Sequence, residues 1–362
     1  MAGVEQAILI LNCGSSSVKA AVFDDALREV SRMEVTEIGG GARMDGRPVA
    51  APDHRAAIEA LLGRLPARPV CAAHRVVHGG AGLVAPCVID AQTRAAIADA
   101  AALAPLHNPA ALAGIDAVAA AAPGLPQVAC FDTAFHATNP PEAVDYALPA
   151  RWRAAGLRRY GFHGISYAGL VETLDPLPAR LLACHLGNGA SLCAIAGGRS
   201  VATTMGYSPL SGLVMGSRTG DIDGNAVLAL AAAEGIAGAS RILNRESGLR
   251  ALGGGSDMRA LHASPEGRAA IDRFVYWAVR HAGSMIAAMG GLDAIAFTGG
   301  IGENDAAVRG RIVAGLAFAG AVPVHVVPAR EEAWIARAAR ACLCPKGAAE
   351  AGAAFAPARD GP

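Results

Sequence analysis

Only two of the 31 basic residues in the chain are lysines, and one of them, Lys19, closes a run of small residues, Cys13-Gly14-Ser15-Ser16-Ser17. Arginine presents a planar fork and lysine a compact point charge, so the two are not interchangeable against a phosphate. Lys19 is therefore a candidate for phosphate contact, with chance retention at a surface as the plainer alternative. Two further glycine-rich loops follow apolar runs: Gly187-Asn188-Gly189 and Gly299-Gly300-Ile301-Gly302-Glu303-Asn304. Glycine lets backbone N–H groups approach phosphate oxygens and adopt the positive φ that an anion nest needs. One such loop is ordinary turn chemistry. Three of them, spread over two similar halves, sketch a nucleotide cleft between two domains. The sequence has no G-x-x-x-x-G-K-[ST] loop, and no G-x-G-x-x-G that opens a helix after a strand.

Three cationic or imidazole side chains sit in glycine-flanked or loop segments: Arg75, His163 (in Tyr160-Gly161-Phe162-His163-Gly164) and Arg218 (in Gly216-Ser217-Arg218-Thr219-Gly220). Donors of this kind, aimed at a metaphosphate-like transition state, are the main device of phosphoryl transfer. Taken singly, a loop arginine is ordinarily a solvated charge and a lone histidine a hydrogen-bonded structural residue. Asn12, Asp132 and Glu331 offer hard oxygens to Mg²⁺, which accepts one or two carboxylates and keeps several waters. Glu331 also suits a helix N-terminus through the macrodipole.

The elements that must position these residues alternate between strand and helix patterns. Runs at 7–12 and 18–23 read as a hairpin, 53–65 as a helix, 70–73 as a strand, 91–103 and 109–122 as helices and 127–131 as a strand. A second half begins after about residue 136. Strands at 181–186 and 191–196 flank Gly187-Asn188-Gly189, so its hairpin mirrors the one around Gly14. That likeness suggests a duplicated unit. A polar, glycine-rich stretch (203–225), helices at 225–234 and 266–289, strands at 294–298 and 322–327 and a helix opening at Glu331 complete the pattern. Alternation through both halves predicts an α/β fold.

Composition removes several classes of function. At 362 residues the prior is two domains; net charge is zero and the pI is near 7.1, so no basic footprint of a nucleic-acid binder is present. Aromatics make up only 4% of the chain, so Ala, Val, Leu and Ile must fill the interior. The N-terminus lacks a charged n-region, and no uninterrupted apolar run reaches the ~18 residues of a membrane span. None of the eight cysteines forms a C-x-x-C pair; they read as buried thiols of a reducing compartment.

Eight motifs in order carry a resemblance: Asn-Cys-Gly-Ser-Ser-Ser-Val-Lys (12–19), His-Arg-Val-Val-His-Gly-Gly (74–80), Pro-Leu-His-Asn-Pro (105–109), Phe-Asp-Thr-Ala-Phe-His (131–136), Tyr-Gly-Phe-His-Gly (160–164), His-Leu-Gly-Asn-Gly-Ala-Ser (185–191), Gly-Ser-Arg-Thr-Gly-Asp-Ile-Asp (216–223) and Gly-Ile-Gly-Glu-Asn (300–304). Together they resemble the acetate kinase family, from residue 8 to about 340. The resemblance implies the acetate and sugar kinase/Hsp70/actin fold: α/β, two domains of duplicated βββαβαβα core with an interdomain cleft. The N-terminal domain would be 1–135, rejoined by 330–362, and the nucleotide-binding domain 136–329. The implied reaction is reversible, Mg²⁺-dependent transfer from ATP to acetate, giving acetyl phosphate and ADP, with Mn²⁺ as an alternative ion. The resemblance assigns Asn12 and Glu331 to the metal and Lys19 to the nucleotide phosphates. ATP would be held by His185, Leu186, Gly187, Asn188, Gly189, Asp257, Met258, Arg259, Gly300, Ile301, Gly302, Glu303 and Asn304. Arg75 would hold the substrate carboxylate, His163 and Arg218 the phosphoryl group in transit, and Asp132 is the acid/base residue. Val77, Leu106, Phe162 and Pro209 would line the acyl pocket. A homodimer formed through the second domain, a cytoplasmic location, and no nucleic-acid or membrane partner are implied as well. Propionate or butyrate kinase of the same fold is the nearest alternative, and a catalytically silent nucleotide-binding protein a remoter one. Tyr167, Ala202 and Ser211 depart from the family pattern, which puts hydrogen bonding around 163–167 and 202–211 in question.

Overall fold

The computed structural model describes residues 7–105 and 107–344; Leu106, expected in the acyl pocket, lies outside them. Contacts among the described residues divide the chain into two compact units, Met1–Ala137 with Arg330–Pro362, and Thr138–Ala329.

The first unit is built on a sheet of eight strands: β1 (Ala7–Cys13), β2 (Val18–Phe23), β3 (Glu29–Thr36), β4 (Arg43–Met44), β5 (Arg47–Pro48), β6 (Pro69–Val76), β7 (Cys87–Val88) and β8 (Gln127–Phe131). Their order is β5-β4-β3-β2-β1-β6-β8-β7, with β1, β6 and β8 parallel and β1–β2–β3 an antiparallel meander. β1 is apolar throughout its first five residues because both of its faces are covered. Leu9 and Leu11 join a core with Val18, Val22, Met33 and Val35 of the sheet and Ile58, Leu61 and Val118 of two helices. Those helices are His54–Leu62 and Asn108–Ala121. The first is capped by Asp53, whose side chain accepts from the Ala56 N–H at 2.8 Å, and Pro109 opens the second. Side chains alternate along a strand, so Ile8, Ile10 and Asn12 face the other way. The helix Glu331–Leu343, burying Trp334, Ile335 and Ala339, packs on β1, β6 and β8.

The second unit repeats the topology. Its strands, β9 (Arg180–Leu186), β10 (Ala190–Ala196), β11 (Arg199–Thr203), β12 (Ala294–Thr298) and β13 (Val324–Val326), are ordered β11-β10-β9-β12-β13. β9–β10–β11 is again an antiparallel meander, and β9, β12 and β13 are parallel. The five central strands of the first unit, β3-β2-β1-β6-β8, match this order and sense one for one. The long helix Pro265–Met289 packs on β10; Ser264 caps it through the Gly267 N–H at 2.9 Å. Helix Gly224–Arg241 is broken at Gly235 (φ 72°, ψ 167°), so its first segment ends where the apolar pattern 225–234 predicts.

Candidate active site

In the first unit the chemistry gathers at the carboxyl ends of the parallel strands, where open α/β sheets place ligands. Leu11 pairs with His74 across β1 and β6, and Arg75 pairs with Cys130 across β6 and β8. Asn12 is thus level with Arg75, on the face that carries the Glu331–Leu343 helix, and Asp132 follows the end of β8. Arg75 Nη2 and Nε donate to the two Asp132 oxygens at 2.6 and 3.2 Å. Glu331 lies 3.8 Å from Arg75 Nε. Burial and the neighbouring Glu331 carboxylate push the Asp132 carboxyl up to about 6, against the pull of Arg75. Burial works against the Arg75 charge, but Asp132 and Glu331 outweigh it and hold the guanidinium firmly protonated. A cation fixed by two acidic neighbours, itself 22% exposed, can still offer N–H groups to an incoming anion.

Among the described residues no cluster of three or more His, Cys, Asp and Glu side chains forms a metal cage. Mg²⁺ does not ask for one, since it takes one or two carboxylates and completes its octahedron with water and phosphate oxygens. The oxygens of Asn12 and Glu331 are the hard donors such an ion accepts, so the residues present fit it. Lys19 stands opposite Asn12 in the β1–β2 ladder, exposed, with Nζ 3.8 Å from Glu34. Val77 follows β6 and is half-buried.

The second unit holds the remaining candidates. His163 occupies the left-handed region (φ 61°) as the residue before helix Gly164–Thr173. Its Nδ1 lies 2.8 Å from Ser191 Oγ, and Tyr167 OH lies 2.6 Å from the same oxygen. The departure at Tyr167 thus completes a network. His185 stacks on His163 with ring centroids 4.1 Å apart and meets Ser166 Oγ at 2.9 Å through Nδ1. Ser191 and His185 are cross-strand partners in β9–β10, which explains why one imidazole is gripped from both sides. A Cβ added at Gly189 would lie 3.2 Å from His163 Nε2 and 3.6 Å from Arg218 Nη1. Imidazole and guanidinium therefore approach the same point of the loop. Arg218 Nη1 also donates to the Pro209 carbonyl at 2.9 Å. Phe162 is buried and Pro209 half-buried.

The two glycine loops of this unit meet: a Cβ on Gly187 would stand 3.8 Å from the Gly300 nitrogen. Gly216 lies against the Asn188 side chain, which would have to turn away from a Cβ placed there. Gly299 is required by conformation, with φ +79° beside the Leu186 carbonyl. Glu303 Oε1 accepts from the Gly299 and Ala329 N–H groups, and Asn304 Nδ2 donates to the Gly300 carbonyl. A cleft of about 810 Å³ opens at these loops, lined by Gly187, Asn188, Asp257, Met258, Arg259, Gly300, Ile301 and Asn304. His185, Leu186, Gly189, Gly302 and Glu303 support the loops without lining it. Ser256, His262 and Asp305 line it too. Sequence reading gave these three no role, and left Ser191, the last residue of a motif, without one, because nothing in a lone serine, histidine or aspartate signals a partner dozens of residues away.

Residues 7–333 match the model of the acetokinase family. An acetate kinase of Nitrobacter hamburgensis is 41% identical over 91% of this chain and 94% of its own length. One from Deinococcus deserti is 42% identical over 92% and 97%. Among solved structures, the acetate kinase of Porphyromonas gingivalis superposes with a TM-score of 0.87 at 32% identity, covering 94% of this chain and all of that one. A propionate kinase from Francisella tularensis gives 0.87 at 32%, covering 92% and 98%. Motif order, duplicated sheet topology and these alignments agree, and the chain belongs to the acetokinase family.

Proposed function

We propose that this protein transfers the γ-phosphoryl group of ATP reversibly to acetate, giving acetyl phosphate and ADP. The observation that carries the reading is alignment over more than nine-tenths of the chain with relatives named acetate kinase. The attacking group is a carboxylate, ionised at neutral pH like a glutamate of pKa ~4.3, so no strong general base is needed. What the reaction needs is help in bringing an anion to a polyanion. Arg75 binds the acetate carboxylate, and Asp132 acts by holding the guanidinium in plane rather than by taking a proton. His163, braced by Ser191 and His185, and Arg218 offer N–H donors to the phosphoryl oxygens. Val77, Phe162 and Pro209 contact the methyl group. Asn12 and Glu331 hold Mg²⁺, or Mn²⁺ in its place; when bound, the ion neutralises charge on the phosphate oxygens. Lys19 supports the nucleotide phosphates. The nucleotide itself lies in the cleft at Gly187–Gly189, Asp257–Arg259 and Gly300–Asn304. We assign residues 1–135 with 330–362 to one domain and 136–329 to the nucleotide-binding domain. The active protein is a cytoplasmic homodimer: all eight cysteines are free thiols, and the second unit exposes an apolar helix whose burial a second copy would satisfy.

Propionate is the second substrate to consider, because a propionate kinase superposes as well as an acetate kinase does. One methylene in an apolar pocket is worth about 1–3 kcal/mol. Trapping the acyl phosphate with hydroxylamine in the presence of Mg²⁺-ATP, over acetate, propionate and butyrate, separates the readings. The highest kcat/KM is expected for acetate. A higher value for propionate moves the assignment, and nucleotide binding without hydroxamate from any acid abolishes it.

A further inference from the structure

The nucleotide cleft has a polar wall that the phosphate loops do not account for. His262, in the helix Met258–Ala263, and Asp305, which follows the helix Gly299–Asn304, both line it. Their side chains meet, with His262 Nε2 2.8 Å from Asp305 Oδ2. The other carboxylate oxygen, Oδ1, accepts from the Val308 N–H at 3.0 Å and caps the next helix. Both oxygens are thereby engaged, and the plane of the carboxylate is set. The His262 carbonyl accepts in turn from Arg268 Nη1 at 3.1 Å, which holds the backbone that carries the ring. A carboxylate can only accept, so Nε2 carries the proton and, in the neutral ring, Nδ1 is left as an acceptor. The side chain is 38% exposed, so the ring remains reachable from the cleft. Asp305 lies five residues on from Gly300, just past the end of the helix Gly299–Asn304, a rise of about 7.5 Å. That is the offset between a nucleotide's phosphates and its base.

We propose that His262 selects the base of the nucleotide: Nδ1 accepts a hydrogen bond from the exocyclic amino group of adenine and rejects purines with a keto oxygen at that position. Asp305 is the positioning residue that fixes the tautomer. The idea rests on the reading of this cleft as the ATP site and deepens it. With a keto purine, two lone pairs face each other across a partly dry contact. The resulting preference for ATP over ITP is about ten-fold to a hundred-fold in kcat/KM.

The experiment compares ATP and ITP as phosphoryl donors to acetate in the full-length enzyme. In His262→Ala the ATP/ITP ratio should collapse towards one. Asp305→Asn makes the sharper test. Its amide oxygen must keep the cap on Val308, so its NH₂ turns to His262 Nε2 and moves the ring proton to Nδ1. The preference should then invert in favour of ITP, which loss of a structural contact alone would not produce. Equal use of ATP and ITP by the wild type, or an unchanged ratio in His262→Ala, overturns the proposal. Ala307 also lines the cleft and is exposed, so Ala307→Trp tests the underlying site: it should raise KM for both nucleotides together. If it changes neither, the location of the nucleotide is wrong and the proposal falls with it.

Discussion

A carboxylate that accepts from two nitrogens of one guanidinium fixes both the position and the plane of that cation, and Asp132 does this to Arg75. An amide in its place can accept on one side only and turns N–H towards N–H on the other. Asp132→Asn should therefore raise KM for acetate at least ten-fold, by about the loss of one charge-assisted hydrogen bond, with a smaller change in KM for ATP. Steady-state kinetics with each substrate varied in turn will show it; a loss confined to kcat, with acetate KM untouched, would restore the acid/base role. His74, the neighbour of Arg75 on β6, makes a prediction about stability. It is 1% exposed, its Nε2 meets Gln127 Oε1 at 2.7 Å, and burial lowers its pKa from 6.5 to about 4. The unfolded chain therefore takes up a proton at higher pH than the folded one. Its contribution is whole above pH 6.5 and drains away between there and about 4. At pH 5 the loss is about 2 kcal/mol. In urea unfolding at pH 7 and pH 5, His74→Gln should show a fall smaller than the wild type's by that amount. Arg75, Asp132 and His163 were legible in the sequence because their motifs announce them. Ser191 closes a motif too, but its contact with His163 was not legible, since it depends on which residue of β10 faces His185, and register leaves no mark on a serine.

Elements position these side chains through close backbone approach, and the glycines that permit it are testable. A Cβ at Gly216 would overlap Asn188 Oδ1, and the Gly216 N–H already donates to the Asn188 carbonyl at 3.0 Å. Gly216→Ala must turn the Asn188 side chain out of its present place, and that side chain belongs to a residue lining the cleft. ATP affinity should fall about ten-fold or more, the scale of a lost or strained hydrogen bond, with the circular dichroism spectrum unchanged. Isothermal titration with a non-hydrolysable ATP analogue measures it, and wild-type affinity would mean that this loop does not touch the nucleotide. Both hairpins were readable from the sequence because buried strands are continuous apolar runs with small-residue turns between them. β3 was not, for its residues Glu29, Arg32 and Glu34 face solvent at the sheet's edge side and break the apolar pattern. β11 and the helix Ala306–Gly315 escaped for the related reason that each is short and weakly amphipathic. Tertiary pairing, rather than local propensity, makes them regular.

At the scale of the whole molecule, one feature of the second unit is unsatisfied in a single chain. The segment Gly224–Glu246 contains an 18-residue window of mean hydropathy 1.5, of which only 11% is buried, and it leaves Leu228 66% and Ile236 84% exposed. By length and composition it is apolar enough to cross a membrane. The break at Gly235 divides it, however, and neither piece approaches the ~20 continuous helical residues a bilayer requires. The N–H and C=O groups freed at that break would be costly in hydrocarbon. The homodimer proposed above would cover it better, because apolar side chains would be buried there while the broken backbone stays at a wetted rim. Each of Leu228 and Ile236 would contribute about 1.5–3 kcal/mol on full burial, twice over in a two-fold interface where every contact occurs in symmetric pairs. Sedimentation equilibrium at micromolar concentration should give twice the 36.4 kDa chain mass for the wild type. The double variant Leu228→Glu/Ile236→Glu should give the single mass, since four carboxylates brought together across such an interface cannot be hydrated. A wild type that stays at the chain mass throughout that range would leave the apolar helix to some other partner.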